Sequence, residues 1–111
     1  MSTTVTFINC FTVPAGREDR FLELWTRVNT YMSTQPGYLD HRLHRALSDE
    51  ARYQFVNVVH WASAQAWRAS HDARFRELVS GPEWAEFPST PALFDVVHTG
   101  TVAEGALTEA P

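Results

Sequence analysis

The chain carries a single cysteine, Cys10, in 111 residues. No internal disulfide can staple it, and the apolar stretch around Cys10 suits a small buried hydrophobe. Cationic charge is scarce as well: nine Lys and Arg against thirteen Asp and Glu leave a net charge of -4. With the signs interspersed, this excludes a basic patch for nucleic acid and a cationic face for a membrane surface. No apolar run approaches the roughly 18 residues of a spanning helix, and the opening MSTTVTFINCF lacks the regions of a secretory leader, which predicts a cytoplasmic protein. Also missing are the glycine pattern of a dinucleotide fold, a cysteine set, and the two-His-one-carboxylate spacing of a non-haem iron site.

What is there is a composition that is 44% hydrophobic and 13% aromatic, that of one globular domain weighted toward rings. Residues 4–13 alternate, placing Val5, Phe7, Asn9, Phe11 and Val13 on one face of a strand. Asn9 is the one polar member of that face and must find a partner or a ligand. After Pro14, Ala15 and Gly16 the spacing of Phe21, Trp25, Val28 and Met32 predicts a helix over about residues 17–34, ended by Gln35, Pro36 and Gly37.

Residues 38–47 and 53–61 read as the two strands of a hairpin around Ser48, Asp49 and Glu50. A turn centred there puts Tyr38, Asp40, Arg42 and His44 on one face with Phe55, Asn57, Val59 and Trp61. The other face then holds Leu39, His41 and Leu43 with Val56, Val58 and His60, and a slip of one residue would exchange the sets on one strand. Ser63 caps a second helix that carries Trp67 and restarts near Asp72. Trp84 and Phe87 pin a proline-rich segment to the core, and residues 92–99 form the last strand.

This order, β-α-β-β-α-β, predicts an α+β, ferredoxin-like split βαβ domain over residues 1–100, with an antiparallel sheet and a mobile C-terminal tail at 101–111. Both helices lie on one face. The other face is too apolar for water, which predicts a homodimer joined sheet to sheet.

Residues 52–78 form the stretch with most to say about function. Trp61 and Trp67 stand near a strand-to-helix corner with Asn57 just behind, and flat apolar walls with a few donors suit a flat, mostly apolar molecule. The candidate catalytic residues are Asn57, Trp61, Trp67 and His44, with His44 as general base. Asn9, Phe7, Phe55, Arg42 and His71 are the candidate substrate-binding residues. His41 and His44, three apart in a strand, point to opposite faces and cannot chelate one metal.

Three segments carry a resemblance: Val13-Pro14-Ala15-Gly16, Gln35-Pro36-Gly37-Tyr38, and Phe55-Val56-Asn57-Val58-Val59-His60-Trp61 before the Ser63 cap. In order and spacing the chain resembles the antibiotic biosynthesis monooxygenase superfamily, whose members are small dimeric α+β barrels. Its cofactor-free members place an Asn, a Trp four residues later and a Tyr six beyond that around a polyketide anthrone. Asn57 and Trp61 match, while Trp67 stands at the Tyr position and lacks the phenol. The resemblance thus implies a monooxygenase that uses no cofactor, takes a small flat aromatic or polyketide-type phenol or anthrone as substrate, and reacts it with O2.

Haem-degrading members of the superfamily use an Asn in the first strand, a Trp in the second helix and an axial His beyond it. Asn9 matches the first, but the Trp position falls near Ser70, and Glu77, Leu78 and Val79 occupy the neighbourhood of the axial ligand. His71 could serve only in a rearranged helix. The alternatives implied are therefore a haem-binding or haem-degrading protein, and a polyketide cyclase or binding protein on the same barrel, since fold does not fix chemistry.

Overall fold

A computed structural model describes residues 3–103. The elements run β1 (Val5–Phe11), α1 (Glu18–Met32), β2 (Tyr38–Arg45), β3 (Phe55–Trp61), α2 (Ala64–Ala69), α3 (Ala73–Val79), a single 3-10 turn (Pro82–Trp84) and β4 (Ser89–Phe94). The sheet order is β2-β3-β1-β4 with every neighbouring pair antiparallel. This is the ferredoxin-like α+β fold with its second helix in two pieces. Most of the tail assigned to residues 101–111 lies outside the described residues. Among those described, no helix is long and apolar enough to cross a membrane.

Local chemistry explains the broken helix. The Ser63 side chain accepts the Ala66 N–H at 3.0 Å and starts α2, and Asp72 Oδ1 accepts the Phe75 N–H at 2.9 Å and starts α3. Two caps nine residues apart start two short helices in place of one. The last strand begins at Ser89 rather than near 92 and passes through Pro91, opposite Asn9. A proline is tolerated there because β4 is an edge strand, where a missing N–H breaks no ladder.

Along β3 the pleat divides cleanly: Phe55, Asn57, Val59 and Trp61 are buried beneath the helices, and Val56, Val58 and His60 are half-exposed on the far side. The dry core lies at one end of the sheet. There the ring of Phe21 from α1 meets Phe11, Phe55 and Phe87 at 4.8, 4.7 and 5.6 Å.

The hairpin register departs from the sequence reading. Tyr38 pairs with Trp61, but the next partners are Asp40 and His60, so Leu39 is an extra residue in β2. Such a bulge turns every later side chain to the opposite face. His41 and Leu43 therefore face the helices, opposite Val59 and Asn57, while Arg42 and His44 turn to the open face and are exposed. The open face keeps Ile8, Cys10, Val56 and Val58 at its centre, but Leu43 has left it, and a His60–Asp40 contact at 2.6 Å lies at its margin.

Gly37 shapes the approach to α2. Its φ of +88° sits in a turn closed by Tyr38 N–H donating to Gln35 O at 3.1 Å, and a Cβ there would lie 2.5 Å from the Ala66 Cβ. Only glycine combines this backbone with so close a helix. A second tie runs from α1 to the α2–α3 corner, where the Tyr31 hydroxyl donates to Asp72 Oδ2 at 2.5 Å.

That hydroxyl, with the Phe75 N–H, holds the Asp72 carboxyl below its ordinary range. A carboxyl depressed by folding adds stability above its unfolded pKa and loses it as pH falls through the folded value. Tyr31→Phe should therefore unfold earlier than wild type in urea at neutral pH. The two curves should converge on acidification below the carboxylate range, and a gap that persists in acid would assign the loss to packing.

Candidate active site

The sheet and the helices do not close on each other everywhere. Between them lies a cavity of about 600 Å³, within the range of small-molecule sites. Its floor is the inward face of the two central strands, with Phe7 and Asn9 from β1 and Asn57, Val59 and Trp61 from β3. One wall is α1, where Trp25, Val28, Asn29 and Met32 recur at helical spacing, together with Tyr38. Opposite stand Trp67, His71, Phe75 and Val79, each four residues beyond the last, and Trp84 and Phe87 also line the cavity.

The polar groups of the floor are the Asn9 and Asn57 amides and the Trp61 indole N–H. Asn9 Oδ1, Asn57 Oδ1 and Trp61 Nε1 are buried with no hydrogen-bond partner. Asn9 and Asn57 are direct partners across the β1–β3 ladder, and two carbonyl oxygens cannot satisfy each other. Each unpaired buried group costs about 1–3 kcal/mol, so a site holding three asks for a ligand or ordered water. A molecule that fits presents polar groups to the two carboxamides, each an acceptor oxygen beside an NH2 donor, and one acceptor to the indole N–H.

On the wall, the Tyr38 hydroxyl lies 3.1 Å from Asn29 Oδ1, to which it donates, and 2.5 Å from His41 Nδ1. Burial pushes this phenol up to about 12, so it stays neutral near pH 7. The Tyr38 ring also packs edge-on against Trp61 at 5.2 Å. Trp67 faces Phe7 at 5.5 Å, and His71 is held between Trp67 at 4.3 Å and Phe75 at 4.5 Å.

Of the nine residues singled out in the sequence, Asn57, Trp61, Trp67, Asn9, Phe7 and His71 line the cavity. Three do not. Phe55 is on the same sheet face but belongs to the dry core with Phe21. Arg42 and His44 are turned away by the bulge, and His44 Nδ1 lies 3.2 Å from Val56 O on the far side, so His44 cannot serve as base in this cavity. The wall supplied by α1 and Tyr38 was missed. The spacing of Trp25, Val28 and Met32 marks an amphipathic helix in the sequence, but nothing in it says that this face borders a void.

The family model for antibiotic biosynthesis monooxygenase matches residues 4–84. No curated protein matches the chain in sequence. Among solved structures, a candidate monooxygenase from Shewanella loihica PV-4 is 33% identical, with 89% of this chain and 99% of that one covered and a TM-score of 0.77. SnoaB, a cofactor-independent oxygenase from Streptomyces nogalater, is 27% identical, with 88% and 97% covered and a TM-score of 0.74. MhuD, in a variant carrying two manganese protoporphyrins per active site, shares the fold at 23% identity, with 88% and 99% covered and a TM-score of 0.68.

An unpaired polar atom kept for a ligand destabilises the empty protein. Asn57→Leu should therefore raise the unfolding free energy measured in urea, by up to the ~1–3 kcal/mol cost of the orphaned oxygen. The same change should weaken binding of 1,8-dihydroxyanthrone, followed by tryptophan quenching, about tenfold. A variant that is less stable and binds as well would mean that water already satisfies Asn57.

Proposed function

From the membership of this chain in the antibiotic biosynthesis monooxygenase family, we propose that it is a cofactor-independent monooxygenase acting on a flat aromatic phenol or anthrone with O2. The observation that carries this reading is the floor of the cavity, two carboxamides and one indole N–H set among rings. That pattern complements a planar substrate edge bearing hydroxyls and a carbonyl.

In this reading the substrate supplies its own electrons. Loss of a proton from the ring carbon opposite the carbonyl gives a carbanion whose charge spreads to the carbonyl oxygen. The Trp61 N–H donates to that oxygen and stabilises the anion, while Asn9 and Asn57 fix the hydroxyls. The anion passes an electron to O2, the two radicals combine, and a carbon-bound peroxide forms. Loss of the second hydrogen from that carbon, with cleavage of O–O, leaves a ketone and water. The apolar walls keep bulk water from the anion and the peroxide.

Haem fits these residues less well. His71 offers one nitrogen ligand, but among the residues lining the cavity no Arg or Lys stands to meet the carboxylates of the macrocycle.

The same reading includes a homodimer. Ile8, Cys10, Val56 and Val58 form a half-exposed centre on the open sheet face, ringed by Asp40, Arg42 and His44, and Phe94 is 48% exposed beside it. An apolar centre with a polar rim is how protein interfaces are built. Light scattering at micromolar concentration should give twice the 12.6 kDa of the chain; a single chain mass would remove the barrel arrangement.

The function is tested by oxygen uptake and quinone absorbance with 1,8-dihydroxyanthrone, beside a haemin titration. Uptake by protein free of haem and metals is expected, with Trp61→Phe lowering kcat about 10²-fold. Tight binding of the anthrone without uptake would point to a cyclase or binding protein. A saturable Soret shift that decays under ascorbate would move the assignment to haem degradation.

A further inference from the structure

The geometry points to His71 as the general base of the cavity, with Nε2 as the atom that takes the substrate proton and later returns it. This inference rests on the oxygenase reading and adds the one group that reading requires. Of the five histidines in the chain, His71 alone lines the cavity. His44 is on the far face of the sheet, and His60 is engaged with Asp40 there. His98 lies in the exposed stretch after β4. His41 Nδ1 meets the Tyr38 hydroxyl, and His41 is not among the residues lining the cavity.

The position of His71 follows from the helix break. It stands between the C-cap of α2, Ser70, and the N-cap of α3, Asp72. Its ring folds back on α2, where Nδ1 lies 2.8 Å from Trp67 O, the carbonyl four residues earlier. A carbonyl oxygen only accepts, so this bond requires the proton on Nδ1. In the neutral ring Nε2 then carries the bare lone pair. The Ser70 hydroxyl, 3.2 Å from Nδ1, donates instead to Trp67 O at 2.5 Å and leaves the tautomer unchanged.

Two further features make the lone pair usable. Among the described residues no hydrogen bond engages Nε2, the ring nitrogen farther from the backbone. The flanking rings of Trp67 and Phe75 restrict rotation, so the base is oriented before substrate arrives. The polar anchors are on the sheet and His71 is on the helices, so a flat substrate between them is held from one side and deprotonated from the other.

The chemistry balances. Nε2 takes the proton as the C–H bond breaks, and the electron pair stays with the substrate. O2 accepts one electron, the radicals combine through a new C–O bond, and the imidazolium returns its proton to the distal peroxide oxygen. The second C–H bond then breaks with O–O, its electron pair forms the carbonyl, and hydroxide leaves to combine with that second proton as water. A CH2 and O2 become C=O and H2O, and His71 ends neutral.

Two measurements test this. Long-range proton–nitrogen correlation on the ¹⁵N-labelled wild type should show the His71 ring in its Nδ1–H form at pH 7.5; an Nε2–H ring would overturn the inference with no variant needed. Under argon, 1,8-dihydroxyanthrone should develop its anion absorbance on binding to wild type. With His71→Gln it should still quench tryptophan fluorescence with Kd within about threefold, yet the anion band should vanish and aerobic oxygen uptake should fall about 10²–10⁴-fold. An unchanged anion band and rate in His71→Gln would exclude His71 while leaving the oxygenase reading intact. A His71-dependent anion that consumes no oxygen would sustain the base and sink the oxygenase.

Discussion

Asn9 and Asn57 meet across the β1–β3 ladder because Val5 is paired with Trp61 at one end and Phe11 with Phe55 at the other. That register sets the cavity floor. A shift of one residue in either strand would turn an asparagine to the open face and bring an Ile, Cys or Val inward. In this pairing both amide oxygens are left buried without a partner, so the register that completes the sheet also creates a polar demand on the cavity floor.

The sheet divides its labour along its length. At the Phe11 and Phe55 end, Phe21 and Phe87 fill the space between layers and are 0% and 2% exposed, which supplies apolar burial at a density a core needs. At the Asn57 and Trp61 end the layers stay apart, and large rings stand around a void instead of filling it. Tying α1 to the α2–α3 corner through Tyr31 and Asp72 holds two walls of that void at a fixed separation. The dry core and the cavity thus share one sheet, and Phe11 and Phe87 border both.

Two small irregularities choose which side chains reach the void. The extra residue in β2 turns Arg42 and His44 outward and brings His41 beneath α1, where it meets Tyr38 and stacks edge-on with Trp25 at 5.4 Å. The break between α2 and α3 places a histidine at a corner, with one ring nitrogen tied to its own backbone. Neither is visible as a hydrophobic pattern, and each decides the protonation chemistry available inside.

By itself the sequence determined the order of the elements, the cap at Ser63 and a restart near Asp72, the end of α1 before Gln35, Pro36 and Gly37, and the face on which Phe7, Asn9, Asn57 and Trp61 lie. These depend on alternation and on hydrogen bonds a few residues long, which the chain carries locally. Tertiary structure alone decided that β2 bulges at Leu39, that β4 runs through Pro91, and that α1 and Tyr38 wall a cavity. It also decided that Phe55 packs into the core and that His71 rather than His44 is inside. Register between strands and separation between layers are settled by contacts distant in sequence, and no period within one strand or helix encodes them.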